Sequence, residues 1–383
     1  MLTTLLAIVA LEPQFEPPRL QTQLPNRAIV LVERLPSASY VSVQLVVAAR
    51  EFRDAPGSHG LRHLTEHLWA RGKDGRIDSD LESMGCFLSA QTSREDMIFE
   101  ISGPTQALPK ILPFFAGLLK GFRAAPERIA AECVTIGEED ALRDPSSLLI
   151  SDAFQIATAG RQLDPFGDLQ TMRAASPDLL LNRWKRMARG ENVAMVIAGN
   201  VDLDAATAMA RPLLAGLPSA GPVTLPAQAP GKMLSIELPS LQGLRATTGV
   251  ALASQTSGFR ERSTAARIAA GLAMASLTPG AFFVYTPSNM ESVIVIGSET
   301  RDPGFLKRCR TADPAEMFTR AKSLAQSWIT QKLDDPRAAA TIRGRLLAQS
   351  PALRPETLLE NLRLVTASEL AEAFKSFTIE VNP

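Results

Sequence analysis

Apolar positions along this chain fall into short runs of strand length and longer stretches spaced for helices, and the order of the two repeats once. Runs at 28–33 and 40–48 read as strands. A helical stretch follows, in which Leu61, Leu64, Leu68 and Trp69 stand at i, i+3, i+7 and i+8, with Gly72 as its stop. Next come a strand at 87–102, a helix at 104–121, and a second helix over 126–141 that opens on Pro126 with Glu127 in its first turn. Helices at 146–159 and 177–188, a short buried strand at 193–198 and a helix at 204–214 close the first block. Residues 219–231 (SAGPVTLPAQAPG) are rich in Pro, Gly and Ala and read as a linker. Strands are then expected at 233–238 and 247–253, a helix at 261–276, strands at 281–285 and 292–297, helices from Pro314 onward, and a last strand at 378–381. Segregated strand and helix blocks predict an α+β fold of two similar-looking domains, each a mostly antiparallel sheet with helices packed on one face. The expected divisions are a possible signal or leader segment at 1–19, a first α+β domain at 20–218, the linker at 219–232 and a second α+β domain at 233–383.

Charge and composition exclude more than they assign. Forty basic residues balance forty acidic ones, so there is no basic footprint for nucleic acid. The hydrophobic content of 45% is ordinary for a globular chain of 383 residues. Cys86, Cys133 and Cys309 are far apart and form no C-x-x-C, so neither a disulfide framework nor a cysteine metal site is expected. Residues 1–11 (MLTTLLAIVAL) are apolar but too short to span a bilayer. They resemble the core of a signal peptide, yet lack a basic start and a clean A-x-A site, which leaves bacterial periplasm and cytoplasm equally open. No other segment has the length and apolarity of a membrane span.

The chemistry concentrates in five residues. The chain has three histidines, and His63 and His67 stand four apart with Glu66 between them, in the order His-x-x-Glu-His. On a helix, positions i and i+4 share a face, so both imidazoles reach one metal ion. A neighbouring carboxylate adds the base needed to activate water against a peptide bond. The inverted order is a zinc-peptidase signature. Catalytic zinc commonly takes three protein ligands. His59 lies in a stretch broken by Pro56, Gly57 and Gly60 and reads as loop, so a carboxylate from another helix is the better third ligand. The helix at 126–141 carries Glu132, Glu138 and Glu139, of which Glu132 and Glu139 are seven apart and share a face. One glutamate facing the metal with a second behind it is a sensible arrangement.

In these residues the chain resembles the pitrilysin/insulinase family of inverted-motif zinc peptidases, which includes the mitochondrial processing peptidase and small bacterial relatives. Residues 25–33 (PNRAIVLVE), 48–67 (AAREFRDAPGSHGLRHLTEH), 85–99 (GCFLSAQTSREDMIF) and 192–200 (NVAMVIAGN) each resemble a segment of that family. The resemblance is dense from about 20 to 218 and thin afterwards. It implies His63, His67 and Glu139 as ligands of Zn2+, Glu132 in support and Glu66 as general base. Glu138 is the rival to Glu139, but points about 100° away on the helix. It also implies that Leu88, Ser89, Ala90, Gln91 and Thr92 lie on an edge strand that pairs with extended peptide substrate. The implied activity is that of a zinc metalloendopeptidase acting on peptides and unfolded segments.

The family's second half contributes an arginine and a tyrosine that hold substrate and stabilise the oxyanion. The corresponding stretch here, 277–285 (LTPGAFFVY), supplies no such pair. With Tyr285 in register, Thr278 stands at the arginine position; with Gly280 in register, Phe283 stands at the tyrosine position. The resemblance therefore implies a heterodimer, with a related half-length subunit supplying the arginine and the tyrosine. A non-catalytic structural subunit and a peptide-binding module of the same fold are the alternatives.

Overall fold

All eight residues of strand β3 (Val41–Ala48) are buried, the mark of a strand covered on both faces. In the computed structural model, which describes residues 17–219 except 74, 159 and 161, residues 250–377 except 257, 289–291 and 299–301, and residues 379–381, this strand lies inside a six-stranded sheet. The other strands are β1 (Arg19–Gln23), β2 (Ile29–Arg34), β4 (Phe87–Thr92), β5 (Asp96–Gly103) and β6 (Val193–Gly199), in the order β1-β2-β6-β3-β5-β4. Every neighbouring pair is antiparallel except β2 with β6. Almost all of the expected leader, most of the linker and the strand expected at 233–238 lie outside the described residues.

Alternation along the strands sorts their residues to two faces. Val43, Leu45 and Val47 of β3 join Val30, Met97, Phe99 and Met195 in one core. Helices α1 (Leu61–Ala70), α2 (Ile77–Glu82), α3 (Leu108–Lys120), α4 (Pro126–Ala141), α6 (Leu169–Arg173), α7 (Pro177–Met187) and α8 (Leu203–Ala215) pack on this face. The second sheet contains β7 (Val250–Thr256), β8 (Phe282–Tyr285), β9 (Ser292–Ser298) and β10 (Ile379–Val381), all antiparallel, in the order β10-β7-β9-β8. One face of it carries α9 (Arg262–Ala275), α10 (Pro303–Thr311), α11 (Pro314–Asp334), α13 (Glu356–Leu364) and α14 (Ala367–Lys375).

The remaining two helices cross over. Helix α12 (Pro336–Gln349), from the second half, lies on the outer face of the first sheet, where Ala340, Leu347 and Ala348 meet Ile29, Leu31, Val46 and Val196. Helix α5 (Pro145–Ala157), from the first half, lies on the outer face of the second sheet, where Leu149, Ala153 and Phe154 meet Ala251, Val293 and Val295. So the fold is α+β with mostly antiparallel sheets and helices massed on one face, and each sheet's other face is capped by a single helix from the opposite half. Contact is close: a Cβ added at Gly344 would sit 2.5 Å from Val46 Cγ2. Beside that contact, buried Glu33 accepts Arg343 Nη2 at 2.8 Å, and Gln44 Nε2 donates to the Arg337 carbonyl at 3.0 Å.

One expected strand is two. The run at 87–102 folds as the β4–β5 hairpin, with the turn at 93–95. Ser93 makes it: its Oγ accepts the Glu95 and Asp96 amides at 3.1 and 3.2 Å, an arrangement that competes with extended backbone. The hairpin leaves β4 as the outermost strand of the first sheet.

Candidate metal centre

Helix α1 starts at Gly60, whose φ of 86° is left-handed and suits glycine. Asp54 Oδ1 accepts the Gly60 amide at 3.0 Å, and the other carboxylate oxygen pairs with buried Arg62, so the first turn is held from outside the helix. Leu61, Leu64 and Leu68 enter the core, which leaves His63 and His67 on the flank of the buried stripe. Their side chains are each 10% exposed.

The two imidazoles converge on α4. His63 Nε2 lies 3.2 Å from His67 Nε2, and Glu139 Oε2 lies 3.3 Å from His67 Nε2 and 3.9 Å from His63 Nε2. Neighbouring donors on a tetrahedral ion with bonds of about 2.0–2.1 Å stand about 3.3–3.4 Å apart, so the triangle fits zinc. These three residues form the one group of this kind among the described residues. The far nitrogens are engaged as well. His63 Nδ1 is 3.2 Å from the Phe166 carbonyl, and His67 Nδ1 is 3.3 Å from Glu132 Oε2. Both partners are acceptors and suit a protonated Nδ1, the tautomer that would leave each Nε2 lone pair for a cation shared with Glu139.

Electrostatics separate the two rings. Burial, with the neighbouring His67, lowers the His63 pKa to about 4, which keeps it neutral and able to ligate. Burial also opposes charge on His67, but the Glu132, Glu66 and Glu139 carboxylates outweigh it and raise its pKa. The Glu132 carboxyl is pushed up by burial and more strongly down by His67 and Arg71, for a net lowering. Glu66 is buried, which raises its pKa against the opposing bond from Thr92 Oγ1, 2.8 Å from Glu66 Oε2. A base held above the usual carboxylate range suits proton transfer near neutrality.

Glu138 is exposed and His59 Nε2 bonds the Asp164 carbonyl at 2.7 Å; neither joins the cluster. Strand β4 runs beside α1: Leu88 and Ala90 pack toward the shared core, Gln91 is exposed, and Thr92 reaches Glu66. As the sheet's last strand, it has no further strand on its outer side among the described residues. In the second half Tyr285 is buried, Phe283 stacks edge-on against Trp328 at 5.7 Å, and Thr278 accepts Arg308 Nε at 3.0 Å. Neither register of the 277–285 stretch presents a tyrosine to solvent. Two contacts have no signal in the sequence: the Phe166 carbonyl on His63, because backbone carbonyls carry no residue code, and the Thr92 hydroxyl on Glu66, because Thr92 was singled out for its backbone.

Other proteins resemble this chain. Residues 29–164 match the model of the insulinase family, peptidase family M16. An uncharacterized zinc protease of Rickettsia bellii is 25% identical over 191 residues, 47% of this chain and 46% of that protein. The beta subunit of the mitochondrial-processing peptidase of Neurospora crassa is 24% identical over 213 residues, 53% of this chain and 44% of that subunit. The chain's matches thus span about half the length of these curated relatives. The crystal structure of a protease from Helicobacter pylori superposes with a TM-score of 0.76 at 15% identity, covering 95% of this chain and 97% of that one. The family match thus lies in the first half of the chain, and the Rickettsia bellii relative is named a zinc protease.

Proposed function

We propose that this chain is the metal-bearing subunit of a zinc endopeptidase that cuts extended peptides and unfolded segments. The observation that carries the reading is the His63–His67–Glu139 triangle, in which two donor spacings, 3.2 and 3.3 Å, match a tetrahedral ion and the third, between His63 and Glu139, is 3.9 Å. Zinc bound there would supply Lewis acidity toward water and the scissile carbonyl. Glu132 supports His67 from behind and fixes its tautomer. Glu66 takes the proton from the attacking water and delivers it to the leaving amine, its carboxylate held in place by Thr92. Peptide would add to the β4 edge at Leu88, Ser89, Ala90, Gln91 and Thr92, where main-chain bonds demand little of the substrate's sequence. A related half-length subunit would supply the arginine and tyrosine that 277–285 lacks.

A second reading, a non-catalytic structural or peptide-binding subunit, is favoured by the burial of Tyr285 and the engagement of Thr278. The test is hydrolysis of a quenched-fluorescent peptide library by the chain alone and with a related partner, as wild type and Glu66→Gln, with zinc quantified in each sample. Cleavage by the wild-type pair only is the expected result. Full turnover by the chain alone removes the partner from the proposal, and zinc without cleavage in any combination favours the second reading.

A further inference from the structure

Arg143 stands just past the end of α4 and is not a candidate ligand, yet it ties together the segments that flank the metal centre. Its Nη1 donates to Asp164 Oδ2 at 2.6 Å, and its Cζ lies 4.3 Å from the centre of the Phe166 ring. Its side chain is 9% exposed. Asp164 in turn receives Ser151 Oγ at 2.6 Å and, on its other oxygen, the Phe166 amide at 3.2 Å. The turn is pressed against the start of α1 by a glycine pair: Gly167 has φ of 92°, and a Cβ on it would overlap the Gly60 backbone. Held in this way, Phe166 faces His63 twice. Its carbonyl is 3.2 Å from His63 Nδ1, and its ring meets the imidazole edge-on at 5.0 Å.

We propose that Arg143 and the turn at 164–167 form a clasp that sets the tautomer and direction of His63, which makes Arg143 and Phe166 positioning residues for the metal. The proposal rests on the zinc reading above. Its physical basis is that outer partners of ligating histidines fix ring orientation and basicity. Arginine is required rather than any cation, because one planar group both pairs with Asp164 and lies over the Phe166 ring. The clasp also sets α4, which carries Glu139, against the turn that orients His63.

The test measures zinc affinity by competition with a chromophoric chelator, the visible ligand-field spectrum of the cobalt-substituted chain, and unfolding of the metal-free chain. The variants are Arg143→Gln, Arg143→Lys and Phe166→Leu, with Arg337→Gln as a control that removes an ion pair with Glu100 away from the site. Arg143→Gln and Arg143→Lys are expected to bind zinc about 10–100-fold more weakly. Both, and Phe166→Leu, are expected to alter the cobalt spectrum, while Arg337→Gln retains wild-type affinity and spectrum. Folded Arg143 and Phe166 variants with wild-type affinity and spectrum overturn the clasp alone. A wild-type chain that binds no zinc overturns the metal reading and the clasp with it.

Discussion

Glu132 and Glu139 grip opposite nitrogens of the same imidazole: Glu132 Oε2 lies 3.3 Å from His67 Nδ1, and Glu139 Oε2 lies 3.3 Å from His67 Nε2. The two glutamates are two helical turns apart on α4, so on the proposed reading a single helix would both offer a ligand and orient another. Replacing Glu132 with Gln keeps an acceptor near His67 but removes the charge. The expected result is zinc affinity about 10–100-fold weaker, read by chelator competition, with the fold retained by circular dichroism. Glu139→Gln, which removes the anionic donor of the triangle, is expected to lose more.

Thr92 joins the edge strand to Glu66, the proposed base, through its hydroxyl. In the active assembly Thr92→Val is expected to lower kcat about tenfold, on the order of one lost hydrogen bond to a charged group, with little change in KM. Thr92→Ser keeps the hydroxyl and is expected to retain activity. Equal kcat for all three in steady-state assays would show that the bond does not position the base.

Acid sensitivity is expected at the seam under α12. Glu356 loses favour for charge through burial, but Arg343 at 2.9 Å and Arg19 outweigh this and lower its pKa from 4.5 to about 2. The folded value lies below the unfolded one, so this stabilisation is complete above pH 4.5 and is lost as pH falls toward 2. It amounts to at most about 3 kcal/mol. Urea midpoints measured from pH 7 to pH 3 are expected to fall more steeply in wild type than in Glu356→Gln.

Gly344 lets α12 approach the first sheet, where an added Cβ would meet Val46 at 2.5 Å. Gly344→Val is expected to cost about 1–3 kcal/mol by overpacking, seen as a lower Tm. For the same reason a fragment ending near residue 219 would bare Ile29, Leu31, Val46 and Val196, and is expected to aggregate where the full chain does not, as size-exclusion chromatography would report.

Much of this was legible in the residues. The α4 boundaries follow from Pro126 and the acidic first turn, and α1 from its apolar spacing and Gly72. The turn at 93–95 was hidden because alternation runs on either side of it, and only Ser93's side chain breaks the strand. Strand β1 (RLQTQ) and helix α10 (PGFLKRCRT) have too few apolar residues to announce themselves. Periodicity marked the apolar faces of the sheets but not their covers, since nothing in a period names a distant partner. At the site, residue count turns Glu138 and Glu139 about 100° apart on the helix, and Glu139 is the one that lies beside His63 and His67. Phe166 had no such ruler: its contribution is a carbonyl, brought into place by a turn folded back from beyond α5.

That turn gives α5 a further meaning. The helix leaves the first half at Arg143, lies across the second sheet and returns at Asp164, where the Arg143–Asp164 ion pair closes the neck of the excursion. The candidate metal centre stands beside that neck. On the proposed reading, injury to the second sheet would reach the histidines by way of the chain itself, and metal occupancy would gauge whether the two halves have joined.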